Sequence, residues 1–285
     1  MFTFLLTVVV MLAFAANSLL CRAALVDGLS DAGSFTIIRL LSGAATLVFF
    51  LLITRTWHSE KPTSRFKVLA GVTLFGYAVL ISYAYLNMDA GTGALLLFGA
   101  VQLTLLTLHW WQGERFKTLE VIGIAVSILG FAWLMLPSAT RPDIWSTLLI
   151  VISGVCWALF TALGKHAPSP SSGIAWGFIA ASVISLLASP FLLSSVNLTI
   201  EGISLAITSG VLASGIGYLL WYHVIQKLTL LQAAVSQLSV PVIALVLGSI
   251  LLGESLSIHS VLTSTIILGG IALVFLSRSQ NANKE

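Results

Sequence analysis

Charge-free apolar runs cover residues 1–21, 68–88, 90–113, 121–140, 144–164, 166–200, 202–226, 228–253 and 255–277. A tenth stretch, 31–54, is equally long and apolar but carries Arg39. A bilayer core of ~30 Å takes ~20 apolar residues per helical span, so the pattern predicts ten transmembrane helices. Outer-membrane strands would alternate polar and apolar residues over short segments, and no such alternation runs along this chain. Ala13-Phe14-Ala15 has the small residues of a cleavage site, but no Lys or Arg precedes Arg22 to form a basic n-region. The first run is therefore expected to be a span and not a signal peptide.

Composition agrees. Of 285 residues, 58% are hydrophobic and 8% charged, where a soluble domain has about a quarter charged. Thirteen Lys+Arg and ten Asp+Glu cannot cover a soluble exterior of this size. Basic residues resist translocation, so their distribution sets orientation. With the N-terminus inside, the cytoplasmic side holds Arg55, Lys61, Arg65, Lys67, Arg115, Lys117, Lys165, Lys227, Arg278 and Lys284, and the outside holds only Arg22 and Arg141. The net charge of +3 thus reflects topology and gives no reason to expect nucleic acid. The expected location is a cell membrane of the bacterial inner-membrane type, with both termini cytoplasmic and lipid around the spans. Trp57, Trp110, Trp111, Trp133, Trp145 and Trp176 fall near span ends, as an interfacial belt requires, whereas Trp157 does not. Cys21 and Cys156 are expected to be buried thiols and not a disulfide.

The chain divides into residues 1–140 and 141–285. A shift of 140 superimposes Ala94 on Ala234, Leu105 on Leu245, Gly113-Glu114 on Gly253-Glu254, Val121 on Val261, Gly130 on Gly270 and Ala132 on Ala272. Gly-Glu ends a span in both halves, and the span boundaries repeat at nearly the same shift. Five spans per half is an odd number, so the second half starts on the opposite side and the repeats are inverted. That plan recurs in secondary transporters, with the binding site near the midplane between the halves.

Ten short-looped spans in two halves, a basic residue early in the second span (Phe35-Thr36-Ile37-Ile38-Arg39-Leu40-Leu41), and the endings Trp111-Gln112-Gly113-Glu114-Arg115-Phe116 and Leu251-Leu252-Gly253-Glu254-Ser255-Leu256 resemble the EamA-type drug/metabolite transporter family. The resemblance covers essentially the whole chain. It implies a ten-helix all-α membrane fold and export of amino acids, other metabolites or toxic compounds. It also implies that an arginine at position 39 is a general feature. The proline typical of the fourth and ninth spans is present as Pro241, but Val101 stands at the matching place in the first half.

Polar groups at membrane depth are functional candidates because they need partners there. Arg39 reads first as structural, snorkelling outward or pairing with Asp31 or Asp27. Gln102 and Gln237 occupy counterpart spans and offer amides either to a ligand or to an interhelical hydrogen bond. Asn17 and Trp157 coincide under the repeat shift, and Trp157 could stack on a planar ligand or simply pack. Tyr218, Trp221, Tyr222 and Ile225 share one helical face. Tyr77, Tyr83 and Tyr85 lie in span three, with Tyr83 turned away from the other two. Asn17, Tyr83, Gln102, Trp157, Tyr218, Tyr222 and Gln237 are the expected substrate-binding residues, for a moderately polar or amphipathic solute. Glu114 and Glu254 are expected to serve the N-termini of the helices that follow.

All ten acids lie in loops, tails or span ends, so no carboxylate is placed to carry a proton at the midplane. His109 and His223 sit near cytoplasmic span ends. No Walker-type phosphate loop, zinc motif, metal-ligand cluster or Gly-x-Ser-x-Gly elbow is present, so neither a cofactor nor an enzyme is expected. The leading expectation is a secondary transporter that exports a small organic metabolite by alternating access. Uptake or exchange of a similar solute, a non-transporting structural or sensory protein, and an intramembrane enzyme are the alternatives.

Overall fold

A computed structural model describes residues 2–56, 61–111, 118–134, 143–193, 195–228, 233, 236–237 and 239–282. Trp57, Glu60, Gln112, Gly113, Glu114, Arg115, Lys117, Arg141, Ala234 and the end of the tail lie outside these. The described residues are helical, with only an isolated β-bridge between Ser30 and Leu198. The helices are α1 (Phe2–Val26), α2 (Ala32–Ile53), α3 (Ser64–Ala84), α4 (Ala90–Trp111), α5 (Thr118–Leu134), α6 (Ile144–Lys165) and α7 (Pro170–Leu187). They continue with α8 (Ile200–Ile225), α9 (Ser239–Leu252) and α10 (Ile258–Ala282). A single turn, Ser189–Leu192, follows α7. Seven of these helices, α1–α4 and α6–α8, are long and apolar enough to cross a membrane, while 118–130, 239–252 and 261–270 are shorter apolar helical stretches.

Local chemistry sets the ends. Asp31, Thr63, Asp143, Ser169 and Thr199 cap α2, α3, α6, α7 and α8, each side-chain oxygen accepting a backbone N–H of the first turn. The N–H of Ser146 and its hydroxyl hold the exposed Asp143 carboxylate below its ordinary pKa. Gly253 leaves α9 at φ 65°, a left-handed conformation that favours glycine. The middle of α8, Ser209–Ile216, is π-helical, a geometry that is rare and concentrates at functional positions.

Lipid gives no hydrophobic drive between helices, so close packing holds them together. A side chain at Gly71 would strike Ala180 of α7, one at Gly154 would strike Leu97 of α4, and one at Gly91 would strike Leu245 of α9. The packing of α5 against α10 is reciprocal: Gly130 faces Ile267, and Gly270 faces Ser127. The Ser127 hydroxyl donates to the carbonyl of Ile267, 140 residues on, at 3.2 Å. Ser127 and Ile267, like Gly130 and Gly270, are separated by the shift that relates the two halves of the sequence.

At the end of the bundle that carries Asp31 and Asp89, loops from the two halves are tied together. Asp31 accepts the N–H groups of Ser34 and Asn197 at 2.8 and 3.1 Å. Thr199 N–H and hydroxyl both donate to Leu29 O at 2.9 Å. Trp110, Trp111, Trp133 and Trp145 are exposed on the flanks, whereas Trp157 and Trp221 are buried. Cys21 and Cys156 are both free thiols.

Candidate functional site

Four helices bring polar side chains together in the middle of the bundle. Asn17 on α1 donates from Nδ2 to the hydroxyls of Tyr77 (α3, 2.9 Å) and Tyr218 (α8, 3.3 Å), which bond each other at 2.9 Å. Its Oδ1 accepts from Ser209 (2.7 Å) and Ser214 (3.3 Å), both in the π-helical stretch. Every hydrogen-bonding atom of the Asn17 side chain is thus engaged, and Ser153 on α6 fixes α3 by donating to Tyr77 O at 2.9 Å.

Beside this polar cluster is an aromatic one. The Trp157 ring lies 4.9 Å from Tyr77 and 4.6 Å from Tyr218, and Phe14 packs edge-on against Trp157, Tyr218 and Trp221. The indole N–H of Trp157 donates to Gln237 Oε1 at 3.0 Å, and Gln237 Nε2 to Ala233 O at 3.3 Å. Gln102 is fully buried in α4, one turn from Phe98, whose ring stacks on Phe14.

Arg39 belongs to the same region. It is 1% exposed, and its guanidinium carbon lies 5.3 Å from the centre of the Tyr77 ring. None of its three guanidinium nitrogens has a hydrogen-bond partner among the described residues. Of the partners open to Arg39, neither Asp31 nor Asp27 forms an ion pair with it among the described residues: Asp31 caps α2 and holds Asn197, and the described ion pairs belong to Arg22. A desolvated cation–π contact contributes about 2 kcal/mol, short of the several kcal/mol that burying a charge costs.

The remaining expected residues lie at the margin. Tyr222 is buried but donates to Phe160 O at 3.1 Å and packs on Gly164, one turn beyond Tyr218. Tyr83 is half-buried, and no side-chain hydrogen bond joins it to the cluster among the described residues. Its place is taken by Tyr77, which the wheel had set on the other face of α3. Ser209 and Ser214 carried no signal in the sequence beyond being hydroxyls in a span.

The tied end is electrostatically organised. Glu254, in the loop after α9, accepts the N–H of Ala90 at 2.7 Å and so caps α4 from the other half of the chain. Arg22 lies 3.7 Å from both Glu254 and Asp89 and donates to Tyr85 O at 2.7 Å. Burial pushes the Glu254 carboxyl above its ordinary pKa and Asp89 adds to this, against the pull of the Ala90 and Gly91 N–H groups and of Arg22. Glu254 was expected to serve the helix that follows it; it serves α4 instead. At the opposite end Lys165 donates to Leu228 O at 2.8 Å, Gln226 donates to Ala167 O at 3.1 Å, and Lys67 stands over the Trp176 ring.

The profile of the EamA-like transporter family matches residues 144–276. An uncharacterized protein of Pseudomonas aeruginosa, PA1977, is 43% identical over 99% of this chain and 98% of its own length. A protein of Salmonella typhimurium described as a probable amino-acid metabolite efflux pump is 26% identical over 70% of this chain and 74% of its own. A crystal structure 18% identical in sequence superposes with a TM-score of 0.71, covering 96% of this chain and 97% of that one.

Proposed function

The chain belongs to the EamA-like transporter family, and from that premise we propose that it is a secondary transporter exporting a small organic metabolite, amino acid-like or amphipathic, by alternating access. In this reading ten spans form two inverted five-helix halves, 1–140 and 141–285, with both termini cytoplasmic. The reciprocal Gly130–Ile267 and Ser127–Gly270 contacts support the repeat, since a twofold relation repeats each contact with the partners exchanged.

The observation that carries the functional reading is the buried cluster of Asn17, Tyr77, Trp157, Tyr218 and Gln237. Both halves contribute to it, and it joins hydrogen-bonding groups to aromatic faces at the depth where transporters of inverted design bind substrate. The description of the Salmonella relative as a probable amino-acid metabolite efflux pump supports a metabolite of the amino-acid class and the outward direction. Opening toward the outside then requires the ties among Arg22, Asp89, Glu254 and Ala90 to part.

The test is untargeted mass spectrometry of cells and medium, comparing the wild type with Asn17→Ala and Trp157→Ala variants at matched membrane abundance. A solute that accumulates outside with the wild type, and less with either variant, is the expected result. Identical media from all three strains, with folded protein in each, would overturn export through this site.

A further inference from the structure

We propose that Arg39 is the anchor for the anionic group of the transported solute, and that the central site selects a small organic monoanion, a carboxylate with an apolar or planar body. The proposal rests on the reading of the Asn17–Tyr77–Tyr218 cluster as the substrate site and gives that site a charge preference, narrowing the amino acid-like or amphipathic solutes of that reading to amphipathic members without a charged amine.

Three observations lead there. The first is the guanidinium itself, buried, over the Tyr77 ring, with no hydrogen bond to any of its nitrogens among the described residues. An arginine keeps its charge under all physiological conditions, and its planar fork matches a carboxylate. An ionisable group at membrane depth calls for a partner, and no described carboxylate supplies one.

The second is the company it keeps. The groups in the adjoining cluster are hydroxyls and an amide: Tyr77, Tyr218, Ser209, Ser214 and Asn17. Hydroxyls and the amide can turn donors toward an anion. None of these groups carries a negative charge to hold an ammonium. One fixed positive charge among neutral donors is balanced by a ligand of net charge −1, which separates an organic acid from a zwitterion or an amine.

The third is the wall. Trp157 packs against the Tyr77 ring, Phe14 against Trp157 and Trp221 against Phe14, which makes a continuous aromatic surface. That surface suits an apolar or flat body attached to the carboxylate and has no use in holding a hydrated inorganic anion.

The test uses the purified full-length protein in detergent and three probes that share a body and differ in charge: 3-phenylpropionate, phenylalanine and 2-phenylethylamine, with inorganic phosphate as the free-anion control. Binding is read by titration calorimetry and by protection against thermal unfolding. The expected result is that 3-phenylpropionate binds tightest, that Arg39→Gln weakens it by about tenfold or more, as loss of a charged hydrogen-bond partner does, without weakening the amine, whose repulsion by the buried charge is relieved, and that Arg39→Lys falls between. Should Arg39→Gln not fold, the order of the three probes on the wild type decides alone. Equal or tighter binding of the amine, equal binding by phosphate, binding of none of the probes, or an Arg39→Gln protein that binds 3-phenylpropionate like the wild type overturns the proposal. Trp157→Ala separates the two readings. If the amine binds to the wild type at least as tightly as 3-phenylpropionate, is lost in Trp157→Ala and is not weakened by Arg39→Gln, the site stands and the anion preference falls. If all probes bind Trp157→Ala as they bind the wild type, the site itself falls.

Discussion

Tyr77 and Tyr218 lie 141 residues apart in the chain and share a hydrogen bond of 2.9 Å between their hydroxyls. The bond joins α3 to α8 in the middle of the bundle. Asn17 bonds both hydroxyls, which makes the three groups one unit. Tyr77→Phe and Tyr218→Phe are each expected to lower stability by about 1 kcal/mol. The double variant should lose less than the sum, because the bond they share is broken only once. Thermal unfolding in detergent measures this, and additive losses would show that the two hydroxyls act independently.

Trp157 and Gln237 give a second, asymmetric prediction. Trp157→Phe keeps a ring but removes the N–H that donates to Gln237 Oε1, leaving a buried acceptor without its donor, at a cost of about 1–3 kcal/mol. Adding Gln237→Leu removes the stranded group. The double variant is therefore expected to unfold at a higher temperature than Trp157→Phe alone, while export falls in both. A double variant less stable than the single one would contradict the bond as described.

The Glu254 carboxyl gives a pH dependence whose sign can be worked out. Its pKa is raised in the folded protein, first by burial and then by Asp89, so the folded state holds that proton more tightly than the unfolded chain does. The resulting contribution to stability is complete below the ordinary glutamate range and is lost as pH rises through the raised folded value. Glu254→Gln, which cannot ionise, should flatten this segment of the pH–stability curve. The check is melting temperature against pH for both proteins across the mildly acidic range. A Glu254→Gln curve parallel to the wild type would assign the dependence elsewhere.

Two glycines predict opposite outcomes for one substitution. A Cβ at Gly210 would collide with the Arg39 carbonyl and the Ser42 hydroxyl, so Gly210→Ala should push α2 from α8 and destabilise by about 1–3 kcal/mol. Among the described residues nothing lies within 4 Å of such an atom at Gly269, and Gly269→Ala should stabilise by about 0.5–1 kcal/mol through helix propensity. Paired melts of the two variants test both.

A monoanion held by Arg39 and released outside carries one negative charge per cycle. A membrane potential, negative inside, favours that movement by about 2.3 kcal/mol per 100 mV. Efflux of 3-phenylpropionate from proteoliposomes should therefore quicken when such a potential is imposed with potassium and valinomycin. A rate indifferent to potential would require a compensating ion.

Much of this was legible because lipid punishes exceptions. Asn17, Trp157 and Gln237 stand out as polar atoms within apolar runs, and all three are buried in or beside the cluster. The stripe Tyr218, Trp221, Tyr222 and Ile225 follows from helical spacing, and all four are buried. What spacing does not decide is which face a helix turns inward. Tyr77 and Tyr83 are alike in chemistry and differ only in angle; the contacts of Gly71 with Ala180 and Gly76 with Cys156 orient α3, and these are long-range. Nearness in sequence does not find a partner for Arg39 either. Asp31 is near in sequence, but its oxygens are engaged by its own helix and by Asn197, 166 residues away. The π-helical turn has no local signature at all.

That turn makes chain length a variable in its own right. An α-helix advances 100° per residue, so the direction of a side chain is set by how many residues precede it within the helix. Through Ser209–Ile216 the bonds reach one residue further than in an α-helix, and Tyr218 meets Tyr77 in the register that this wider winding delivers. Deleting any one residue there would let the backbone relax to ordinary winding and carry Tyr218 round toward a different neighbour. In this stretch the number of residues, more than their identity, selects which side chain looks across at the other half.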